Sequence, residues 1–125
     1  MKASLYIHIP FCISKCAYCD FYSLVTERSI IDQFLDALES EIDLYASHPV
    51  VADFEFETLY LGGGTPSLLS ISQIDRLVNK TQKLFRFSEK FEFTIEANPE
   101  TISMKKLQRL TEKLTHGNGI LILKI

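Results

Sequence analysis

Leu5-Tyr6-Ile7-His8-Ile9-Pro10-Phe11-Cys12-Ile13-Ser14-Lys15-Cys16-Ala17-Tyr18-Cys19 joins a strand signal to a cysteine loop. Leu5, Ile7 and Ile9 alternate with Tyr6 and His8, the period of a strand with one apolar face. Pro10 closes that strand, because it has no N–H to give to a ladder. The same order recurs twice downstream. Thr58 to Leu61 reads as a second strand and runs into Gly62-Gly63-Gly64-Thr65-Pro66. Phe91 to Glu96 reads as a third and runs into Ala97-Asn98-Pro99.

Helical periods separate these strands. From Ser29 to Ser47, the residues Ile31, Phe34, Leu35, Leu38, Ile42 and Tyr45 recur at three- and four-residue steps. Asp32, Asp36, Glu39 and Asp43 line the opposite side. Ser70 followed by Gln73 makes a capping box for a second helix, with Ile74, Leu77, Val78 and Phe85 as its buried stripe. Ser103 to Leu114 reads as a third helix with Leu107, Leu110 and Leu114 facing in. After Gly117 and Gly119, the apolar run Ile120 to Ile125 reads as a buried parallel strand. The alternation βαβαβα, with a possible fourth strand, predicts an α/β fold: a parallel sheet with right-handed crossovers and helices packed on it. A closed eight-unit barrel needs roughly 250 residues. With about three βα units, the 125 residues here supply less than half of one.

Composition narrows the function classes. With 46% hydrophobic residues the chain can bury one core. Its 13 basic and 16 acidic residues are interspersed and sum to −3, unlike the basic stripe of a nucleic-acid binder. The apolar runs fall short of the roughly 18–20 residues that span a bilayer. No charged start leads into an apolar stretch and small-residue cleavage site. The expectation is a chain with no transmembrane segment, in the cytoplasm.

In parallel α/β folds ligands bind beyond the carboxyl ends of the strands. The cysteine loop, the glycine run and the Glu96 loop all fall there. Three cysteines within eight residues, spaced C-x3-C-x2-C, are a poor disulfide framework. Thiolates at this spacing can wrap an iron–sulfur cluster, and three of them leave one iron of a cube open to a small molecule. Two other readings stand beside this one. The cysteines can be buried apolar residues, or His8 can join Cys12, Cys16 and Cys19 in a Cys3His zinc site of a small interaction module. The glycines let backbone approach a ligand, and their N–H groups can meet a carboxylate or phosphate. The run also serves as a tight strand-to-helix turn, and neither a P-loop nor a G-x-G-x-x-G pattern is present. Glu96 shares a strand face with Thr94, where its carboxylate can accept hydrogen bonds from a ligand. It can equally pair with a helix N-terminus or stand as a surface charge.

Taken in order, Leu5 to Cys12, the C-x3-C-x-Tyr-C loop, Gly62-Gly63-Gly64-Thr65-Pro66 and Glu96-Ala97-Asn98-Pro99 resemble the oxygen-independent coproporphyrinogen III oxidase family of radical S-adenosyl-L-methionine (SAM) proteins. The resemblance covers roughly residues 4–114 and implies the N-terminal part of a parallel (βα) partial TIM-like barrel, about three βα units plus a possible fourth strand. It implies that residues 1–115 are the N-terminal part of a radical SAM core domain and residues 116–125 a divergent tail with a possible short strand. It implies a [4Fe–4S] cluster on Cys12, Cys16 and Cys19. SAM would bind the open iron and be cleaved reductively to methionine and a 5′-deoxyadenosyl radical, with electrons from a small-protein donor. Tyr6 and Tyr18 match SAM-pocket positions, Gly63, Gly64 and Thr65 match the segment that holds the methionine end, and Glu96 matches an acidic SAM-binding residue.

The oxidases of this family carry a further cysteine two residues past the third ligand, where this chain has Phe21, and an N-terminal extension. That pattern is similar to the heme-chaperone branch, with a heme or porphyrin ligand. The alternative is the oxidase itself, of oxidoreductase type, in porphyrin biosynthesis. The segment from His116 onward does not resemble the family's fourth strand. The expectation is therefore an incomplete fragment, with an incomplete SAM pocket and little or no turnover.

Overall fold

A computed structural model describes residues 1–12, 24–25, 28–98, 102–114 and 120–124. The strands run longer than the strictest alternation: β1 is Lys2–Ile9, β4 is Glu55–Gly63 and β5 is Phe87–Glu96. Two short strands, β2 (Phe11–Cys12) and β3 (Leu24–Val25), lie between β1 and the first helix, and β6 (Ile120–Lys124) lies last. The helices are α1 (Arg28–Ala46), α2 (Ile71–Leu84) and α3 (Met104–Leu114). Ser70 caps α2 as its spacing predicts: its hydroxyl accepts from Gln73 N at 3.1 Å, and its own N–H donates to Gln73 Oε1 at 2.8 Å. Such a cap contributes about 1 kcal/mol.

The main sheet has the order β1-β4-β5-β6, and every neighbouring pair is parallel. Each new strand adds on the same side, so right-handed crossovers put all the helices on one face of the sheet. This is the winding of a barrel rather than of a doubly wound sheet. Register then fixes what each face carries. Leu5, Leu59, Phe93 and Leu121 form one row, and Ile7, Leu61, Ile95 and Leu123 the next. These rows face the helices and build the core with Leu35, Ile42, Ile74, Leu77, Val78 and Leu110. The other face carries a row of Tyr6, Tyr60, Thr94 and Ile122, with His8, Gly62, Glu96 and Lys124 beyond it.

Four expectations are refined here. The apolar run at the tail does pair in parallel with β5, but it is the edge strand of the described sheet, and its residues alternate between exposed and half-buried. Ile120 is 53% and Ile122 37% exposed, because no further strand or helix among the described residues covers that face. The acidic flank of α1 does not simply face water. Asp36 and Glu39 take Arg76, and Asp43 takes Lys80 at 2.9 Å, so these charges bridge α1 to α2. In α3, Leu110 is buried as expected, while Leu107 is only half-buried. Phe85 is buried, but it is the residue that ends α2 rather than part of its stripe.

Candidate functional site

The carboxyl ends of β1, β4, β5 and β6 meet at one edge of the sheet. Phe11, 1% exposed, packs edge-on against Phe34 of α1 with ring centroids 5.0 Å apart. This fixes the start of the cysteine segment. Cys12 pairs in parallel with Val25, so the chain that leaves Cys12 returns beside it. The side chain of Cys12, together with Cys16, Tyr18, Cys19 and Phe21, lies outside the described residues.

The glycine run is stitched to this region. Gly64 N donates to Ile9 O at 2.8 Å, and Thr65 N donates to Phe11 O at 2.6 Å. Gly63 N donates to Glu96 Oε1 at 2.8 Å. Two of the three glycine amides read as free to meet a ligand anion, those of Gly63 and Gly64, are thus engaged inside the chain, as is that of Thr65, and the expectation of an amide cradle is corrected at these positions. The glycines matter for close approach instead. A Cβ on Gly62 would sit 2.7 Å from Tyr60 Cε1, 2.8 Å from Glu96 Oε1 and 2.9 Å from Tyr6 Cε2. Gly63 has φ +114°, a conformation that side chains other than glycine rarely take.

Glu96 is the hub of the site. Besides Gly63 N, it accepts a hydrogen bond from Tyr60 OH at 2.9 Å. Each carboxylate oxygen keeps a lone pair for a ligand amino or hydroxyl group. Tyr6 lies beside Tyr60, ring centroids 5.6 Å apart, and its hydroxyl shares a 3.0 Å hydrogen bond with His8 Nδ1. Desolvation, then the Glu96 carboxylate and Tyr60, push the Tyr6 phenol above its ordinary 10.0. Two cavities share Gly63 and Glu96 as a common wall. One, of about 390 Å³, is lined by Gly63, Gly64, Thr65, Glu96, Asn98 and Lys124 among others. The second, of about 330 Å³, is lined by Tyr6, His8, Tyr60, Gly63 and Glu96.

Of the residues singled out from sequence, Tyr6, Gly63, Gly64, Thr65 and Glu96 therefore converge, with the backbone of Cys12 alongside. Three contributors, Tyr60, Ser67 and Lys124, escaped the sequence reading, and His8, weighed there as a zinc ligand, takes another role. Tyr60 was legible, since period two from Gly62 puts it on the same face. Ser67 is fully buried; its hydroxyl accepts from Asn98 N at 3.0 Å, and its carbonyl accepts from Lys106 Nζ. Burial there pulls the Lys106 amine below its ordinary 10.5. His8 enters as a partner of Tyr6, and Lys124 enters only through strand pairing with Glu96. No periodic signal marks Ser67 or Lys124.

Residues 6–117 match the radical SAM superfamily. The chain belongs to that superfamily. Among radical SAM relatives, it is 44% identical over 108 residues to the heme chaperone HemW of Buchnera aphidicola subsp. Schizaphis graminum, covering 82% of this chain and 27% of the relative. It is 42% identical over 108 residues to the oxygen-independent coproporphyrinogen III oxidase of Salmonella typhimurium, covering 86% of this chain and 23% of the relative. The solved coproporphyrinogen III oxidase of Escherichia coli, described as a radical SAM enzyme, superposes with a TM-score of 0.80 at 40% identity, over 88% of this chain and 25% of that one. The radical SAM chain here thus spans about a quarter of the length of these relatives. The partial TIM-like barrel expected from sequence agrees with that structural match. No helix among the described residues is long and apolar enough to cross a membrane.

Proposed function

We propose that this chain holds a [4Fe–4S] cluster on Cys12, Cys16 and Cys19 and binds SAM in the paired cavities around Glu96, as the N-terminal part of a heme chaperone. The observation that carries the reading is the Glu96 carboxylate, fixed by Gly63 N and Tyr60 OH at 2.8 and 2.9 Å on the wall between two cavities. The residues fit a cofactor with amino and hydroxyl donors. Its donors would meet the free lone pairs of Glu96 and the backbone carbonyls of the glycine run, whose N–H groups are already used. Three thiols at C-x3-C-x2-C suit an iron–sulfur cube.

The cluster supplies one-electron reduction, and SAM supplies the radical chemistry. The chain's own residues bind and orient. Glu96 accepts hydrogen bonds from the ligand. Tyr6 and Tyr60 wall the smaller cavity with aromatic surface. The 3.0 Å bond to His8 fixes the Tyr6 hydroxyl. Gly62 and Gly63 keep the strand end low enough for these side chains to pack over it. Tyr18 joins the SAM pocket beside the last cysteine on this reading.

Phe21 in place of a further cysteine favours the heme chaperone over the oxidase, with heme or a porphyrin as ligand, a small protein as electron donor and the cytoplasm as the site of action. With about a quarter of a full-length relative present, SAM binding without efficient turnover is expected of this fragment. Heme titration of a full-length version tests the branch. Saturable heme absorbance without decarboxylation of coproporphyrinogen III supports the chaperone; decarboxylation without heme binding assigns the oxidase.

A further inference from the structure

We infer that Lys124 makes the larger cavity selective for ligands that carry an α-amino acid group, by taking the carboxylate while Glu96 takes hydrogen-bond donors. This rests on the reading that the cavity binds SAM, and it adds a residue from the segment whose sequence diverges from the family.

The argument starts from register. Glu96 pairs with Lys124 across β5 and β6, so both side chains leave the same face of the sheet at its carboxyl end. Ala97 N donates to Lys124 O at 2.8 Å, which anchors the Lys124 backbone beside the Glu96 loop. The side chain lines the same cavity of about 390 Å³ as Gly63, Gly64, Thr65 and Glu96. Its Nζ lies 5.8 Å from the centroid of the Tyr60 ring, the ring whose hydroxyl donates to Glu96. A cation over an aromatic face is held there by the ring quadrupole.

Charge distribution then points to the ligand. Glu96 spends one bond per oxygen on Gly63 N and Tyr60 OH. Among the described residues no carboxylate lies within 4.0 Å of Lys124 Nζ, whereas Lys2 and Arg76 each have two and Lys80 has one. One wall of the cavity thus offers an anion with spare acceptor capacity, and its neighbouring strand offers an ammonium with spare donors. An ammonium is a point donor without directional demands, suited to a carboxylate. A zwitterionic amino acid group satisfies both, whereas an uncharged nucleoside offers donors to Glu96 but no carboxylate to Lys124.

The test is calorimetric binding to the 125-residue chain of two probes that share adenosine and sulfur: SAM, and 5′-methylthioadenosine, which lacks the amino acid group. Lys124→Met is expected to weaken SAM about tenfold, the lower end for a charge-assisted hydrogen bond in a partly open site, and to leave 5′-methylthioadenosine unchanged. Lys124→Arg should keep SAM within about threefold. Far-UV circular dichroism controls for folding. Equal SAM affinity in Lys124→Met and the parent overturns the inference, as does an equal loss for both probes. A parent chain that binds neither probe overturns the SAM reading itself, and this inference with it.

Discussion

Alanine at Gly62 and at Gly63 should break different things, although the two positions are adjacent. At Gly63 the backbone has φ +114°, and an added Cβ would lie 2.7 Å from Ile9 O and 2.8 Å from His8 Cε1. Ile9 O is backbone and already accepts from Gly64 N, so it cannot move without opening the join between β1 and the glycine run. Residues held in such a conformation cost on the order of 1–3 kcal/mol. Overpacking adds a similar amount. Gly63→Ala should therefore destabilise the chain by about 3 kcal/mol, or lower its melting midpoint by about 10 °C for a chain of this size. At Gly62 φ is ordinary, and the atoms in the way are side-chain ends: Tyr60 Cε1, Glu96 Oε1 and Tyr6 Cε2. These can swing aside, so Gly62→Ala should cost less than about 1 kcal/mol of stability. The swing would displace the Glu96 carboxylate from the cavity wall, and SAM binding should fall about tenfold, the worth of one charge-assisted hydrogen bond. Urea unfolding and SAM calorimetry on both variants give the comparison. A Gly63→Ala variant within about 0.5 kcal/mol of the parent would refute the close-approach argument. So would a Gly62→Ala variant that loses as much stability as Gly63→Ala.

Two further outcomes follow from single side chains. Glu96→Gln keeps the shape but loses the charge and one acceptor, so SAM affinity should drop about tenfold or more while the unfolding midpoint moves little; unchanged affinity would remove Glu96 from the binding wall. For Lys106, burial puts the folded pKa below its ordinary 10.5. The folded chain then binds fewer protons than the unfolded one between that lowered value and 10.5, so stability rises with pH across this window. Lys106→Met should flatten the rise in urea midpoint between neutral pH and 10.5, and parallel profiles for parent and variant would show that burial of the amine has no such effect.

Much of the fold was legible because its signals are local. Alternation in β1 and in Phe91–Glu96, the 3.6-residue period of α1, and the Ser70–Gln73 cap each depend on neighbours within a few residues. Local signals underestimated strand length, because the ladder extends β4 back to Glu55 through residues that show no clean alternation. Long-range facts were less legible. Whether the run Ile120–Lys124 is buried depends on what lies beyond it, and in this chain it is an edge. The site divides in the same way. Glu96, Tyr6 and Gly63 were marked by motif and face. The engagement of the Gly63, Gly64 and Thr65 amides by Glu96, Ile9 O and Phe11 O was hidden, because it depends on how far β1 runs past β4. Lys124 was hidden for the same reason, since only the β5–β6 register sets it beside Glu96.

The most direct test of the account is anaerobic reconstitution of the chain with iron and sulfide, followed by metal analysis and electron paramagnetic resonance of the reduced protein with and without SAM. The expected result is about four irons and four sulfides per chain, a broad absorbance near about 400 nm, and a signal whose shape changes when SAM is added. Serine at Cys12, Cys16 or Cys19 should abolish it. A colourless protein that takes up one zinc per chain through the same cysteines and ignores SAM would contradict the account.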